Sequence, residues 1–494
     1  MPPITWLPWS AESFARASAQ GKPVLLSIAA AWCRNCAEMD RTSYADSEVI
    51  SLVTDHFVPI RVDADRRPDV GDRYGLGGWP TTAFLTPEGE LLGGGTYVDA
   101  GRLTSVLRRV YHAFATGQHA GVVRRSPDAD ESTAATIEEL IERVSDAFDS
   151  EHGGFGHSPK FPHVAPVRLA FDIYGETGSE HWREVAVKSL DAMGWGPLYD
   201  EERGGFFRCS HDADWRHPNE EKLLEVNATL LSLYVDAFEA LQLARYGERV
   251  EDTLRYVQTW LADPVDAGWA ASQRADASCD ARPSEGDGNP TAAPRVDRTI
   301  FADWNGLMVS AALHAGRVMN DAGLSEFAIK SLERVDLLCY KPGTGMAHYA
   351  DDVIQPGVRT GHDATVRGLL DDQIAMAAAH LDAFDATGNI VYEMMAEELA
   401  LYAIRTMWDD RDGGFFDRAP DEERDIGLLN ERLKPFVGNC VAARLLRRLA
   451  KVSGNSAFAG HADRTLAAMS IRAAAEGPLA AEYVLAVRAA QTSA

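Results

Sequence analysis

Apolar and polar positions in the first 117 residues follow the pattern of an α/β domain. Residues 24–30 form a continuous apolar run, which predicts a strand buried on both faces, and residues 57–63 predict a second strand. An amphipathic helix is expected over residues 101–115. The predicted element order is β-α-β-α-β-β-α, and its remaining members are expected at residues 37–40, 69–74, 82–86 and 91–92.

A Cys-x-x-Cys motif, Cys33 to Cys36, lies between the first strand and the following helix, a placement typical of a thioredoxin-like core. At a helix N-terminus the unpaired backbone N–H groups lower the pKa of a thiol, and Arg34 adds positive charge. We therefore expect Cys33 to be the more exposed nucleophile and Cys36 to resolve the mixed disulfide. The Trp-Pro-Thr run around Pro80 predicts a cis-proline beside the sulfurs.

The residue at position 27 leaves other interpretations of the motif open. Thioredoxins carry a buried Asp six residues before the first Cys, whereas this chain has Ser27 there. A redox-inactive thioredoxin fold and a metal clip are therefore alternatives to thiol chemistry. Because no second Cys pair or His-x-x-His motif offers the other half of a zinc site, we predict neither a metal nor a cofactor.

Beyond a polar, glycine-containing linker over residues 118–132, the chain follows a helical period almost to its end. Short, mostly glycine-containing links alternate with long links. This alternation predicts that the helices form antiparallel hairpins, which repeat along the chain with an internal period. Six hairpins close into an (α/α)6 toroid, which we assign to residues 133–494. The twelve helices are expected to start near residues 133, 164, 180, 222, 248, 303, 324, 364, 390, 434, 456 and 477.

The long links are expected at one end of the toroid, where a binding site would be built. Three of them carry the signature aromatic-Asp-x3-Gly-Gly-Phe, starting at Phe148, Tyr199 and Trp408. A repeated tight turn is the favoured interpretation, and an aromatic platform for sugar rings is the alternative. Several loop carboxylates are possible acid/base groups. They are Asp200, Glu221, Asp303 and Asp371.

Composition narrows the class of protein further. The 494 residues are 46% hydrophobic and 25% charged, with no apolar run long enough for a membrane helix and no signal-peptide pattern at the start, so we expect a soluble, cytoplasmic protein. The formal net charge of −26 argues against binding to nucleic acid or anionic membranes. This acidic bias has two open interpretations, which are genome composition and adaptation to a saline cytoplasm. Six cysteines in so long a chain do not predict a disulfide framework.

Motifs in both regions resemble the spermatogenesis-associated protein 20-like family. Cys33-x-x-Cys36 and the Gly-Gly-Trp-Pro run ending at Pro80 match its first domain, and Asp303-Trp-Asn-Gly-Leu-Met matches its second. The resemblance spans nearly the whole chain and implies a thioredoxin-like domain (residues 1–117) followed by a six-hairpin, glycosidase-like toroid. The family's usual Cys-His-Trp-Cys-His motif and its Pro-His-Phe-Glu-Lys motif are altered here.

Together these features predict a thiol-disulfide oxidoreductase-like protein whose toroid binds a protein thiol or disulfide, or a small sugar-like ligand. The alternatives are a carbohydrate-active toroid, of the epimerase or glycoside hydrolase kind, with an accessory thioredoxin domain, and a non-enzymatic scaffold. Oligomeric state is left open. The expected catalytic residues are Cys33, Cys36 and Pro80. The expected substrate-binding residues are Trp32, Trp79, Asp200, Glu221, Lys222, Trp304 and Asn305.

Overall fold

The computed structural model describes residues 2–118, 134–275, 295–351, 366–421 and 424–492. By internal contacts the chain divides into two compact units. Unit 1 comprises Met1–Glu131 and Pro420–Arg432, and unit 2 comprises Ser132–Ala419 and Leu433–Ala494. Within the described ranges, no helix combines the length and the apolar character needed to cross a membrane.

Unit 1 is an α/β domain around one mixed four-stranded sheet. Its elements are α1 (Ala11–Gln20), β1 (Val24–Ala29), α2 (Arg34–Arg41), α3 (Ser47–His56), β2 (Val58–Asp63), α4 (Pro68–Tyr74), β3 (Thr81–Leu85), β4 (Leu91–Gly95) and α5 (Ala100–Ala115). The strand order is β2-β1-β3-β4. β1 pairs in parallel with β2 and antiparallel with β3, and β3 pairs antiparallel with β4. The predicted thioredoxin-like fold is thus confirmed.

Two helices of unit 1, α1 and α3, are absent from the predicted element order. Their boundaries do have sequence signals, because the side chain of Ser10 caps α1 and that of Asp46 caps α3. Gly21 ends α1 in the left-handed conformation with φ of 58°. These caps, rather than the apolar pattern, would have revealed the two helices.

The segment 420–432, assigned by sequence to the toroid, packs within unit 1 against α4. The Arg73 guanidinium donates to the carbonyl oxygens of Leu428 and Glu431. The buried Tyr74 hydroxyl donates to Gly89 O at 2.6 Å and accepts from the Leu428 N–H at 2.8 Å. A loop from the last long link of the toroid therefore belongs structurally to the thioredoxin-like unit.

Unit 2 is built from twelve α-helices in its described residues. They are α6 (Ile137–Asp146), α7 (Val164–Thr177), α8 (Glu180–Gly194), α9 (Leu224–Leu241), α10 (Ala244–Tyr256), α11 (Ala302–Val318), α12 (Ala322–Cys339), α13 (Leu370–Thr387), α14 (Ile390–Met407), α15 (Phe436–Ser453), α16 (Ser456–Met469) and α17 (Ala480–Thr492). Apart from α6 and α13, all ten helices begin within four residues of the start expected from sequence. The expected starts at 133 and 364 lie outside the described residues.

The helices form an inner ring and an outer layer, as the toroid prediction requires. Each inner helix contacts the next in the order α7, α9, α11, α13, α15, α17 and back to α7. α8, α10, α12, α14 and α16 each follow an inner helix through a short link. The sixth pair is not a continuous hairpin, because α17 packs against α6 from the other end of the unit.

Short strands occupy the long links that lead into the inner helices. They are β5 (Lys222–Leu223), β6 (Ser272–Gln273), β7 (Val296–Asp297), β8 (Ile300–Phe301), β9 (Tyr340–Lys341), β10 (Gly345–Met346) and β11 (Tyr349–Ala350). β8 directly precedes α11 and pairs antiparallel with β11. The six inner helices therefore present their N-termini, together with these strands, at one end of the ring.

The repeated aromatic-Asp signature forms a tight turn at each of its three positions. The first aromatic residue and the final Phe face each other across the turn, with ring centroids 4.9–5.7 Å apart. The final Phe residues are buried rather than displayed, which favours the turn interpretation over a sugar platform. A fourth turn of the same shape, around Asp263, lacks the signature and pairs Ala262 with Trp269.

Candidate functional site

The cysteine pair lies where β1 runs into α2. Cys33 and Cys36 form a disulfide, and Cys33 is the N-cap of α2. The Cys36 backbone N–H donates to Cys33 Sγ at 3.1 Å, so the helix N-terminus is already directed at that sulfur. Both cysteines are 5% exposed, so the expected greater exposure of Cys33 is not seen in the disulfide form.

The predicted neighbours of the cysteines lie in two loops, one before α2 and one before β3. Trp32 is buried, and its indole Nε1–H donates to Asp65 Oδ2 at 2.7 Å. Trp79 packs towards α4, and the Trp79–Pro80 bond is cis, as predicted. β3 begins one residue after Pro80 and pairs antiparallel with β1. Pro80 therefore lies at the same end of these two strands as the loop that carries Cys33.

Ser27, at the position of the thioredoxin Asp, belongs to a buried hydroxyl-rich region. It is 1% exposed and lies opposite Thr82 in the sheet. The Tyr44 hydroxyl is 2.8 Å from Thr82 Oγ1, and burial raises the pKa of Tyr44. These groups are neutral, so this position supplies no carboxylate to accept a proton from Cys36.

Two of the predicted toroid residues stabilise a turn, and a third forms an ion pair beside it. Lys222 is fully buried, and its ammonium donates to Asp200 Oδ2 at 2.7 Å. Burial raises the pKa of Asp200, but the bonds from Lys222 and two backbone N–H groups outweigh it, so the pKa is lowered. Glu221 pairs with Arg208 at 2.7 Å. Asp200 and Lys222 thus close the turn that begins at Tyr199.

Asn305 has a positioning role in the same architecture. Its amide accepts from the Trp269 N–H at 2.9 Å and donates to the carbonyl oxygens of Trp269 and Phe301. Asn227 on α9 and Asn439 on α15 make the same contacts, one and two inner helices away from α11 around the ring. Trp304 is buried, at 7% exposure, and packs 4.8 Å from Phe301.

A different group of side chains gathers at the inner-helix N-termini. His348 Nδ1 lies 2.9 Å from Asp372 Oδ1 and 4.0 Å from Asp303 Oδ1. One side-chain nitrogen or oxygen atom from each of the three residues lies within 4.8 Å of the corresponding atoms of the other two residues. His348 and Asp372 are buried, and the Asp303 side chain is 16% exposed.

The fold brings these residues together through short strands and close helix packing. The antiparallel β8–β11 pair aligns the His348 segment with the start of α11, and the Ala302 N–H donates to His348 O at 2.9 Å. Gly306 on α11 lies so close to α13 that a Cβ there would approach the Ala375 carbonyl carbon to 2.9 Å. The first turns of α11 and α13 therefore converge.

Burial and like charge act together on these carboxyl groups. Burial raises the pKa of Asp303 well above its usual range, the nearby His348 opposes this, and the Asp372 carboxylate adds to it. Glu225, in the first turn of α9, is reached by water but surrounded by protein atoms, and the lost hydration raises its pKa. Of these residues, only Asp303 was expected from the sequence as a possible acid/base group. Acidic first turns on successive inner helices are the signal that would have found Glu225 and Asp372.

A cavity of about 980 Å³ lies among α7, α9, α15 and α17. Its walls are charged: Arg168 pairs with Asp236 at 2.9 Å, and Arg488 pairs with Asp172. These side chains make the space suited to a polar ligand rather than an apolar one.

A thioredoxin-like domain with a Cys-x-x-Cys disulfide, joined in one chain to an (α/α)6 toroid, is the class of protein that these features define. The family described as "Thioredox_DsbH: Protein of unknown function, DUF255" matches residues 1–127. Spermatogenesis-associated protein 20 of Homo sapiens is 28% identical over 323 residues, which cover 58% of this chain and 41% of that protein. The resemblance predicted from the motifs is confirmed: the chain is similar to the spermatogenesis-associated protein 20-like proteins. It spans about two fifths of the length of such relatives.

Other similarities concern one unit each. The thiol:disulfide interchange protein DsbD of Ralstonia nicotianae is 33% identical over 85 residues, covering 16% of this chain and 14% of that protein. A sugar epimerase from a ruminal bacterium (13% identity, TM-score 0.52) covers 67% of this chain and 85% of its own. A D-mannose isomerase (14% identity, TM-score 0.52) covers 69% and 86%. At these identities the two structures establish the toroid fold alone.

Proposed function

We propose that the chain is a thiol-disulfide oxidoreductase in which Cys33 attacks and Cys36 resolves. The observation that carries this proposal is the position of Cys33 as N-cap of α2, with its sulfur accepting a backbone N–H. A thiolate formed there is stabilised by the same N–H groups and by the helix dipole. The match to a thiol:disulfide interchange protein over 85 residues supports the same chemistry.

The proposed reaction begins with the reduced dithiol. The Cys33 thiolate attacks one sulfur of a substrate disulfide, so a mixed disulfide forms and the other substrate sulfur leaves as a thiolate, which takes a proton from water. Cys36 then loses its proton and attacks Cys33 Sγ. The second substrate thiol leaves, the Cys33–Cys36 disulfide is restored, and a dithiol reductant must return it to the reduced state. Because Ser27 cannot accept the Cys36 proton, we expect water to do so.

Trapping of the mixed disulfide tests this proposal. In the reduced full-length protein, Cys36→Ser is expected to accumulate a disulfide between Cys33 and a model substrate such as insulin, whereas Cys33→Ser forms none. Cys209→Ser is the matched control, because Cys209 is a buried free cysteine remote in sequence from the motif, and it should leave insulin reduction unchanged. Equal activity in Cys33→Ser and the parent protein would contradict the assignment.

A second candidate function is binding of a sugar-like ligand by the toroid. It is favoured by the grouping of Asp303, His348 and Asp372 at the inner-helix N-termini, with Glu225 near enough to raise the pKa of Asp303. The similarity of the toroid to a sugar epimerase and a D-mannose isomerase supports it as well. Asp200 and Lys222, expected to bind substrate, are engaged in a turn and are better suited as controls. For the toroid, a carbohydrate-active role and a scaffold role are both alternatives to the recognition of thiol substrates.

Calorimetric titration with mannose and cellobiose separates these alternatives. A sugar-binding toroid should give saturable heats that Glu225→Gln weakens at least tenfold, whereas Lys222→Met in the turn should bind as the parent protein does if it folds. The absence of any binding heat with a wider panel of mono- and disaccharides would contradict this second function.

We also propose a reducing, cytoplasmic setting, with a protein thiol or disulfide as the partner. Three cysteines, Cys209, Cys339 and Cys440, are free and buried, which is the state expected where thiols are kept reduced. When cells of the natural source are fractionated, we expect the chain only in the soluble fraction, with these three cysteines in the reduced state.

A further inference from the structure

The spacing of Asp303, His348 and Asp372 matches that of atoms around one metal ion. Two donor atoms bound to the same ion at about 2.1 Å lie roughly 3.0 Å apart at a right angle and at most about 4.2 Å apart. The two distances from His348 Nδ1, 2.9 Å to Asp372 and 4.0 Å to Asp303, fall inside this range. Oxygens of Asp303 and Asp372 lie within 4.8 Å of each other, so rotation of these side chains brings all three residues around one ion.

Asp372 supplies an independent indication of a ligand. It is fully buried, and while its Oδ1 pairs with His348, its Oδ2 has no hydrogen-bond partner. A buried carboxylate oxygen without a donor or cation is costly, and buried charges in proteins are normally paired or coordinate metals. A cation bound by both carboxylate oxygens of Asp372 would satisfy Oδ2 as well as Oδ1.

The backbone around these donors is held from two sides. The His348 N–H donates to Val366 O at 2.8 Å, which holds the histidine segment on the side away from α11. The amide of Gln373, next to Asp372, accepts from the Met346 N–H at 3.0 Å. Donor atoms on so constrained a backbone lose little conformational freedom when an ion binds.

We propose that Asp303, His348 and Asp372 bind one divalent first-row transition metal ion at the inner-helix N-termini of the toroid. One imidazole nitrogen with carboxylate oxygens suits Mn²⁺, Fe²⁺, Co²⁺ or Zn²⁺, whereas Mg²⁺ and Ca²⁺ favour oxygen-only sites. Three protein ligands leave coordination positions for water or a substrate oxygen. The Asp303 side chain is the most exposed of the three, at 16%, so the ion would enter the site on the side of Asp303.

Cobalt titration of the full-length protein tests the site directly. The protein is kept oxidised, so that Cys33 and Cys36 are in their disulfide and cannot offer thiolates to the ion. Co²⁺ alone is expected to bind with one equivalent, to give visible ligand-field absorption, and to resist competition by millimolar Mg²⁺. Asp372→Asn and His348→Gln should each weaken binding at least tenfold.

His314 provides the matched control variant. Its ring also lies between two carboxylates, 3.6 Å from Asp236 and 3.3 Å from Glu239, but Arg317 already pairs with Glu239. His314→Gln should therefore bind Co²⁺ as the parent protein does. If the variants at the buried positions do not fold by circular dichroism, Asp303→Asn at the solvent-reached position serves instead and should show the same tenfold loss.

Two results would overturn the site. One is the absence of saturable Co²⁺ binding by the folded parent protein at millimolar concentration. The other is parent-like affinity in folded Asp303→Asn, Asp372→Asn or His348→Gln, which would place the ion elsewhere. Neither result bears on insulin reduction, so failure of the metal site and failure of the thiol chemistry are distinguishable.

Discussion

Replacing Asp149 by Asn removes one charge from a buried ion pair while leaving its turn intact. Asp149 Oδ2 accepts from the Lys160 ammonium at 2.6 Å, and Lys160 is fully buried. Its Oδ1 accepts the backbone N–H groups of Glu151 and His152, bonds that an Asn side chain retains. The substitution therefore tests the ion pair rather than the turn.

The size of the effect follows from the Asp149 pKa. Burial raises that pKa, but the Lys160 ammonium and the backbone N–H groups outweigh burial and lower it to about 2. Against an unfolded value of about 3.9, the difference corresponds to roughly 2.5 kcal/mol of stability. Since the folded pKa is depressed, this stability is present above about pH 4 and is lost as the pH falls toward 2. The ammonium left behind keeps a hydrogen bond to the Ala213 carbonyl but loses its paired carboxylate, so we expect Asp149→Asn to cost about 3–4 kcal/mol at pH 7.

Urea unfolding followed by far-ultraviolet circular dichroism measures the cost, with Asp409→Asn as control. Asp409 makes the same turn and pairs with Lys434 at the same 2.6 Å, but the Lys434 side chain is 19% exposed, against 0% for Lys160. We expect Asp409→Asn to cost about 1–2 kcal/mol, and the Asp149→Asn cost to shrink between pH 5 and pH 3. An equal or larger loss for Asp409→Asn, or a cost independent of pH, would refute the reasoning.

Three further substitutions probe other contacts. Gly306→Ala places a methyl group against the α13 backbone and should cost about 1–3 kcal/mol in urea unfolding, with Gly460→Ala, which meets no neighbour, as control. Asn305→Ala leaves buried backbone groups of Trp269 unpaired and should cost at least about 2 kcal/mol, so an unchanged midpoint would exclude the positioning role. Tyr74→Phe removes two buried hydrogen bonds to the turns at Gly89 and Leu428, and limited proteolysis should then cut segment 420–432 earlier than in the parent protein.

Local patterns in the sequence were sufficient for the two folds and for the cysteine site. The apolar run over residues 24–30 and the motif that follows it lie next to each other in the chain, so helix and strand periods are enough to place Cys33 at the start of α2. The toroid helices are likewise found from their period and from the alternating link lengths.

The acidic group at the inner-helix N-termini required the fold. Asp303 and His348 meet because the two-residue strands β8 and β11 pair, and strands so short leave no alternating pattern in the sequence. Asp200 and Lys222 show the converse, since their residue types suggest a site while their contacts close a turn. Residue type alone does not distinguish these two uses of a carboxylate in so acidic a chain.

The ionisation of Cys33 tests the central claim most directly. The rate of iodoacetamide modification of the reduced full-length protein is followed against pH, with the alkylated residue identified by mass spectrometry. Thiolate stabilisation by the α2 N-terminus predicts a midpoint below about pH 7.5, and the reaction should be confined to Cys33. A midpoint near 8.5 or higher, as for an ordinary thiol, would contradict the proposed thiol-disulfide chemistry.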